Sequence, residues 1–255
     1  MLRALQLTKS LLGVGPPLMR GPCSAYLLAG VPAASWGAGS RLRQVPVQRW
    51  LSTSCWSCDA ELRRLDAFCS SDACGAVQPL DKGASCFQLL GCPVRYKLDL
   101  VALEAAYKTL QFKMHPDKFA TKSVREREIS NANSTLINNA YQTLLSPVER
   151  ASYLLMMNGV SVLEESAKDA SAANRQHPEL MSEIFDLREQ VDDLRADGAE
   201  AAALLARLRA DIALVCEHLD ADFAEGRIAD ATVNSVRLKY LVKAKEEIEE
   251  HKITA

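Results

Sequence analysis

Pro116 constrains the fold of this chain more than any other residue. From Asp99 onward Leu100, Leu103, Tyr107, Leu110 and Met114 recur at three- and four-residue steps, one face of an amphipathic helix opened by an aspartate N-cap. Glu104, Lys108, Gln111 and Lys113 occupy the opposite face. Pro116 has no amide hydrogen and pushes His115 out of helical geometry, so the helix must stop about there and a loop must begin. A second helical pattern runs from about Glu126 to Leu145 through Ile129, Leu136, Ala140, Tyr141 and Leu144. It is long enough to pack antiparallel on the first, which puts His115-Pro116-Asp117 at the exposed tip of a helical hairpin.

Shorter helices flank the hairpin. Ser146-Pro147-Val148-Glu149 supplies an N-cap, a proline at the first helical position and a capping-box carboxylate, and Gly159 closes that helix. Cys86 to Gly91 reads as a brief helix stopped by glycine. Residues 161–175 are rich in Ala and Ser without a clear period and read as a connector.

Three more helices are expected, from about Pro178 to Arg195, Ala199 to Glu225 and Asp230 to His251, with breaks at Asp197-Gly198 and Gly226. Short connections force antiparallel neighbours, hence a three-helix bundle. The expected core stripes are Leu180, Ile184, Leu187, Val191 and Leu194, then Leu205, Leu208, Ile212, Val215 and Leu219, then Val233, Val236, Tyr240, Ala244 and Ile248. Met181 and Phe185 lie about a hundred degrees of rotation off the first stripe, flanked by Asp186, Glu189 and Asp192. An apolar pair rimmed by carboxylates suggests a docking surface, against the plainer reading of a broad core face.

Four of the eight cysteines fall close together: Cys55-Trp56-Ser57-Cys58, then Cys69 and Cys74. A C-x2-C pair puts two thiolates on one tight turn, and a second pair completes a tetrahedral shell, so Cys55, Cys58, Cys69 and Cys74 are expected to hold structural zinc. The alternative is free thiols in a linker, with Cys86 and Cys92 as further candidate ligands. A redox C-x-x-C is disfavoured because no strand-then-helix pattern surrounds Cys55.

Residues 1–58 contain no Asp or Glu but carry Arg3, Lys9, Arg20, Arg41, Arg43 and Arg49, the bias of a mitochondrial transit peptide, expected over residues 1–51. Prolines and glycines interrupt its uncharged stretch, so no transmembrane segment is expected. A formal net charge of -2 gives no indication of nucleic-acid binding. In the reducing matrix a disulfide framework is not expected, which favours metal at the clustered cysteines.

Phe87-Gln-Leu-Leu-Gly91, Tyr107-Lys-Thr-Leu110, His115-Pro-Asp-Lys118 and Asn138-Asn-Ala-Tyr-Gln-Thr-Leu144, in this order, resemble a J-domain. Leu180-Met-Ser-Glu-Ile-Phe-Asp-Leu-Arg-Glu189, Ser146-Pro-Val-Glu-Arg-Ala-Ser-Tyr-Leu-Leu155 and Phe119 make residues 86–251 look like the HscB family of iron-sulfur co-chaperones. The resemblance implies an all-α fold: a small Cys-rich zinc-binding segment (52–80), a J-domain hairpin (84–160), a linker (161–175) and a C-terminal three-helix bundle (176–252). It implies that His115, Pro116, Asp117, Lys108 and Lys113 engage a DnaK-type mitochondrial chaperone and stimulate its ATPase. It also implies that Met181, Phe185, Asp186 and Glu189 bind the IscU-type scaffold. Ser182 departs from the family's bulky apolar residue there. Animal members carry a four-cysteine zinc module at a similar position, with two C-x2-C turns where this chain has one.

The resemblance implies an adaptor of the mitochondrial matrix without catalytic activity of its own. The competing readings are a J-protein that recruits unfolded clients and a J-domain accessory factor of diphthamide synthesis. The latter would need a cysteine zinc module after the hairpin, and no cysteine pair lies in the C-terminal region. A catalytic His115–Asp117 pair would lack a nucleophile and a pocket.

Overall fold

The computed structural model describes residues 53–63, 65–160, 178–193 and 198–254. The leader, the 161–175 connector and Leu194 of the first expected stripe lie outside them. Two short antiparallel strands, β1 (Thr53–Ser54) and β2 (Glu61–Leu62), open the described chain. The rest is helical: α1 (Cys86–Leu89), α2 (Leu100–Met114), α3 (Val124–Leu145), α4 (Pro147–Met157), α5 (Pro178–Asp192), α6 (Gly198–Glu225) and α7 (Ile228–Thr254).

Side-chain caps set several of these boundaries. Asp99 accepts the amides of Val101 and Ala102 and starts α2. Ser123 and Glu126 cap each other's backbone amides, so α3 begins at Val124, two residues before the apolar pattern becomes visible. Ser146 accepts the Glu149 amide and Pro147 occupies the first helical position of α4, as expected.

α2 and α3 pack antiparallel. Tyr107 stacks on Tyr141 with ring centroids 4.0 Å apart, and its hydroxyl donates to Asn138 Oδ1 at 3.0 Å. Below them Gln111 and Ser134 bond across the hairpin. Phe87, Leu103, Met114, Ile137, Leu144 and Leu155 form the core behind this seam.

That core does not stop at the hairpin. Val215, Leu219 and Phe223 of α6 and Ala231 and Leu238 of α7 belong to the same buried cluster, while a smaller one joins Leu205 and Leu208 to Ala244 and Ile248. This accounts for the one displaced stripe. In the first half of α7 the buried positions are Ala231, Ser235 and Leu238, with Val233, Val236 and Tyr240 only partly covered, because this half packs against α4 as well as α6. From Ala244 onward α7 turns the expected face inward.

Buried polar side chains fix the junction. Arg150, 6% exposed, donates to the carbonyls of Leu144, Leu145 and Tyr96 at 2.7, 3.2 and 3.0 Å. The first two are orphan acceptors at the end of α3, where the helix dipole also favours a cation. Burial lowers the guanidinium pKa from its ordinary value. The Tyr96 ring stacks on Phe223, its hydroxyl donates to the Pro147 carbonyl and lies 3.3 Å from Cys216 Sγ, and the Lys97 amide donates to Asp220 at 3.0 Å. At the α6–α7 turn, buried Asp222 receives Arg227 and Asn234.

Arg150→Met keeps much of the side-chain volume but leaves those three carbonyls without this donor. It should cost about 2–4 kcal/mol in urea unfolding, and a loss below about 0.5 kcal/mol would show that the guanidinium does not carry the junction.

Candidate functional site

Three surface features bring the expected site residues together. At the hairpin tip, His115 ends α2 in extended geometry (φ -61°, ψ 129°) and caps a 3-10 turn over Pro116–Phe119. The side chains of His115 and Asp117 are 56% and 90% exposed. His115 Nδ1 accepts the Asp117 amide at 3.3 Å. Phe119 is buried and anchors the turn from below. Above, the fully buried Ser130 hydroxyl donates to the Met114 carbonyl at 2.7 Å, an acceptor left without its helical partner because the Lys118 amide bonds to His115 instead. Sequence reasoning missed Ser130, because a serine inside a helix carries no signal of which carbonyl it faces.

The basic residues are not equivalent. Lys108 pairs with Glu104 at 2.7 Å, and that bond raises its pKa. Lys113 is exposed in the last turn of α2, where the helix dipole favours positive charge. Lys118 lies 3.1 Å from the centroid of the exposed Phe112 ring and adds a cation beside Asp117.

The second feature is the thiol cluster. Cys55 and Cys74 sulfurs are 3.8 Å apart, Cys58 and Cys69 3.6 Å, and all four lie within 4.8 Å of one another. A Zn–S bond of about 2.3 Å puts sulfurs at tetrahedron corners about 3.8 Å apart. The donor set therefore fits one tetrahedral metal ion despite the wider second spacing. Cys58 and Cys74 are each followed by a left-handed residue, Asp59 (φ 58°) and Gly75 (φ 57°), and these tight turns fold the cysteine pairs back on themselves. Around Cys55, burial opposes ionisation, but the amides of Ser57 and Cys58 together with the neighbouring Cys58 and Cys69 thiols bring the thiol down to about 6. Gln78, almost wholly buried, donates its side-chain amide to Cys55 Sγ at 3.1 Å. Among the described residues no other cluster of this kind is found, so Cys86 and Cys92 are not drawn in as ligands.

The third feature is the outer face of α5. Leu180 and Ile184 point into the bundle, Met181 is half-buried and Phe185 is 72% exposed, with Ser182, Asp186 and Glu189 exposed beside them. The broad-core reading therefore fails for Phe185. Arg237 ties Glu183 to α7 at 2.8 Å. Between α5 and α6 lies a groove of about 350 Å³, lined by Ile184, Leu187, Leu204, Leu208 and Leu214, with Asp186 on its rim.

Comparison with known proteins accords with this geometry. Residues 176–249 match the family model described as the HSCB C-terminal oligomerisation domain. The mouse iron-sulfur cluster co-chaperone protein HscB is 29% identical over 202 residues, 78% of this chain and 82% of its own. The Arabidopsis thaliana HscB homolog is 31% identical over 198 residues, 76% and 72% of the two chains. The crystal structure of human co-chaperone protein HscB superposes with a TM-score of 0.70 at 27% identity, covering 80% of this chain and 100% of that one. The fold and these relatives define a helical co-chaperone, and the chain belongs to the HscB family.

Titration of the metal-free protein with a divalent thiophilic ion should saturate at one ion per chain. Cys58→Ser should weaken binding by at least about tenfold, and affinity should fall as the pH is lowered because protons compete for the thiolates. Unchanged affinity in the serine variant would remove Cys58 from the site.

Proposed function

We propose that this chain is a co-chaperone of iron-sulfur cluster biogenesis in the mitochondrial matrix, joining a DnaK-type chaperone to an IscU-type scaffold and catalysing nothing itself. The observation that carries the reading is Asp117: a carboxylate almost fully open to solvent on a loop held from behind by buried Ser130 and Phe119. An aspartate so presented can form a charge-assisted pair with an arginine of a partner at little ordering cost. In this reading residues 84–160 are the J-domain, and His115, Pro116 and Asp117 stimulate the chaperone's ATPase. Lys113 and Lys108 steer the approach of an acidic partner surface, with Lys108 weakened by its Glu104 pairing.

Residues 176–252 form the scaffold-binding bundle, with Met181 and Phe185 as apolar anchors and Asp186 and Glu189 as the charged rim. Residues 161–175 link the two. Over residues 52–80, Cys55, Cys58, Cys69 and Cys74 hold zinc, which as a closed four-thiolate site supplies folding energy and no open coordination position. Residues 1–51 are the targeting leader, supported by their basic, acid-free composition. No described helix is long and apolar enough to cross a membrane.

Two measurements separate the partner sites. Asp117→Asn should keep the fold and remove stimulation of the purified mitochondrial chaperone's ATPase, and stimulation within about twofold of the unaltered protein would refute the assignment. The Met181→Ala/Phe185→Ala double variant should bind an IscU-type scaffold at least about tenfold more weakly while stimulating the ATPase normally. Scaffold binding equal to that of the unaltered protein would place the docking surface elsewhere.

A further inference from the structure

The thiol cluster and the hairpin tip are joined by a short path of buried polar side chains. Gln78 donates to Cys55 Sγ at 3.1 Å and to the Ala76 carbonyl at 2.9 Å. Its own carbonyl accepts from Asn133 Nδ2 at 2.8 Å, and Asn133 Oδ1 takes the Leu80 amide at 3.0 Å. Asn133 thus clasps, at two points, the segment that leaves the cysteine module. One helical turn earlier on α3, Ser130 grips the Met114 carbonyl, the last before His115. Gln78, Asn133 and Ser130 are 2%, 3% and 0% exposed. A second contact parallels the first: the Arg125 guanidinium lies 4.6 Å over the Trp56 ring, whose indole N–H donates to the Val77 carbonyl. Trp56 lies between the ligand positions Cys55 and Cys58.

We propose that Gln78, Asn133 and Ser130 are positioning residues through which metal occupancy of the four-cysteine module sets the geometry of the His115-Pro116-Asp117 loop. The proposal rests on the readings that the cysteines hold zinc and that this loop triggers a DnaK-type chaperone. The module has Cys55, Leu62 and Cys69 as a core of its own and leans on the main cluster through Leu65, Ala67 and Phe68, too little apolar burial to hold the cysteine turns without the ion. When the module opens, Gln78 and Leu80 leave Asn133, whose buried amide then lacks both partners, and Arg125 loses its ring. Each lost bond matters because an unpaired polar group in the interior bears its full desolvation cost. The first three turns of α3 lose their cover together, and Ser130 stands on the second. Its grip on Met114 loosens, and the loop samples orientations in which Asp117 no longer meets its partner.

The test uses the full chain loaded with zinc, stripped with a chelator and reloaded. Amide hydrogen exchange is followed at Lys118 and Ala120, which bond to the His115 and Asp117 carbonyls, with residues 205–219 of α6 as internal reference. Stripping should speed exchange at the two loop amides about five- to tenfold, reversibly and with the reference unchanged. Maximal ATPase stimulation should drop more than the half-saturating concentration rises. Asn133→Ala and Ser130→Ala should reproduce both effects with zinc bound. If Asn133→Ala also unfolds the reference segment, chelation of the unaltered protein decides. Faster exchange confined to residues 53–80, with the loop amides and stimulation unchanged, would overturn the proposal. A loop that responds in a protein that never stimulates the ATPase would instead uphold the coupling and refute the trigger reading.

Discussion

A helix that ends inside a folded core leaves carbonyl groups that must find donors, and this structure is organised around how three such ends are met. At Pro116 the end of α2 is met by Ser130. At the end of α3 it is met by Arg150, which reaches Tyr96 in the same grip and so fastens the loop before α2 to the start of α4. At the end of α6 the Arg227 amide donates to the Asp222 backbone carbonyl at 2.8 Å, and the Arg227 guanidinium pairs with the buried Asp222 carboxylate to fix the turn into α7. Each solution uses a polar side chain, and each fixes a direction rather than adding apolar burial. The exposed tripeptide follows from the first of them.

Because the hairpin and the C-terminal helices share one buried cluster, the tip that carries Asp117 and the bundle that carries Phe185 are built on continuous packing. Tyr96 and Lys97, just before α2, reach Cys216, Asp220 and Phe223 on α6. The cysteine module is attached from the other side, through Asn133. α3 therefore meets α2 and the module through its own buried polar side chains, Ser130 and Asn133, and its last carbonyls receive Arg150 of α4.

Much of this was legible in the sequence, for identifiable reasons. Apolar periodicity, the Asp99 and Ser146 caps and the proline at 116 are local signals, and the helices they imply form where expected. The four thiols were legible because a C-x2-C pair followed by two more cysteines close by has the spacing of a metal site, and the turns at Asp59 and Gly75 absorb the wider second spacing. What stayed hidden depends on which faces meet. The first half of α7 buries Ala231, Ser235 and Leu238 rather than Val233, Val236 and Tyr240, since this helix packs against α4 as well as α6. Arg150, Ser130 and Asn133 read as ordinary surface residues in one dimension. Only the packed helices show that each serves a carbonyl or amide distant in sequence. On α5 the sequence left two readings of Met181 and Phe185 open, and exposure removes the core reading for Phe185.

The central claim is that one chain presents two partners to each other. It is tested most directly by steady-state ATPase rates of the mitochondrial DnaK-type chaperone with this protein alone, with an IscU-type scaffold alone, and with both at subsaturating concentration. The account predicts a rate with both that exceeds the sum of the separate stimulations severalfold, because the bundle delivers the scaffold to the chaperone that the loop is triggering. A rate equal to that sum would contradict it.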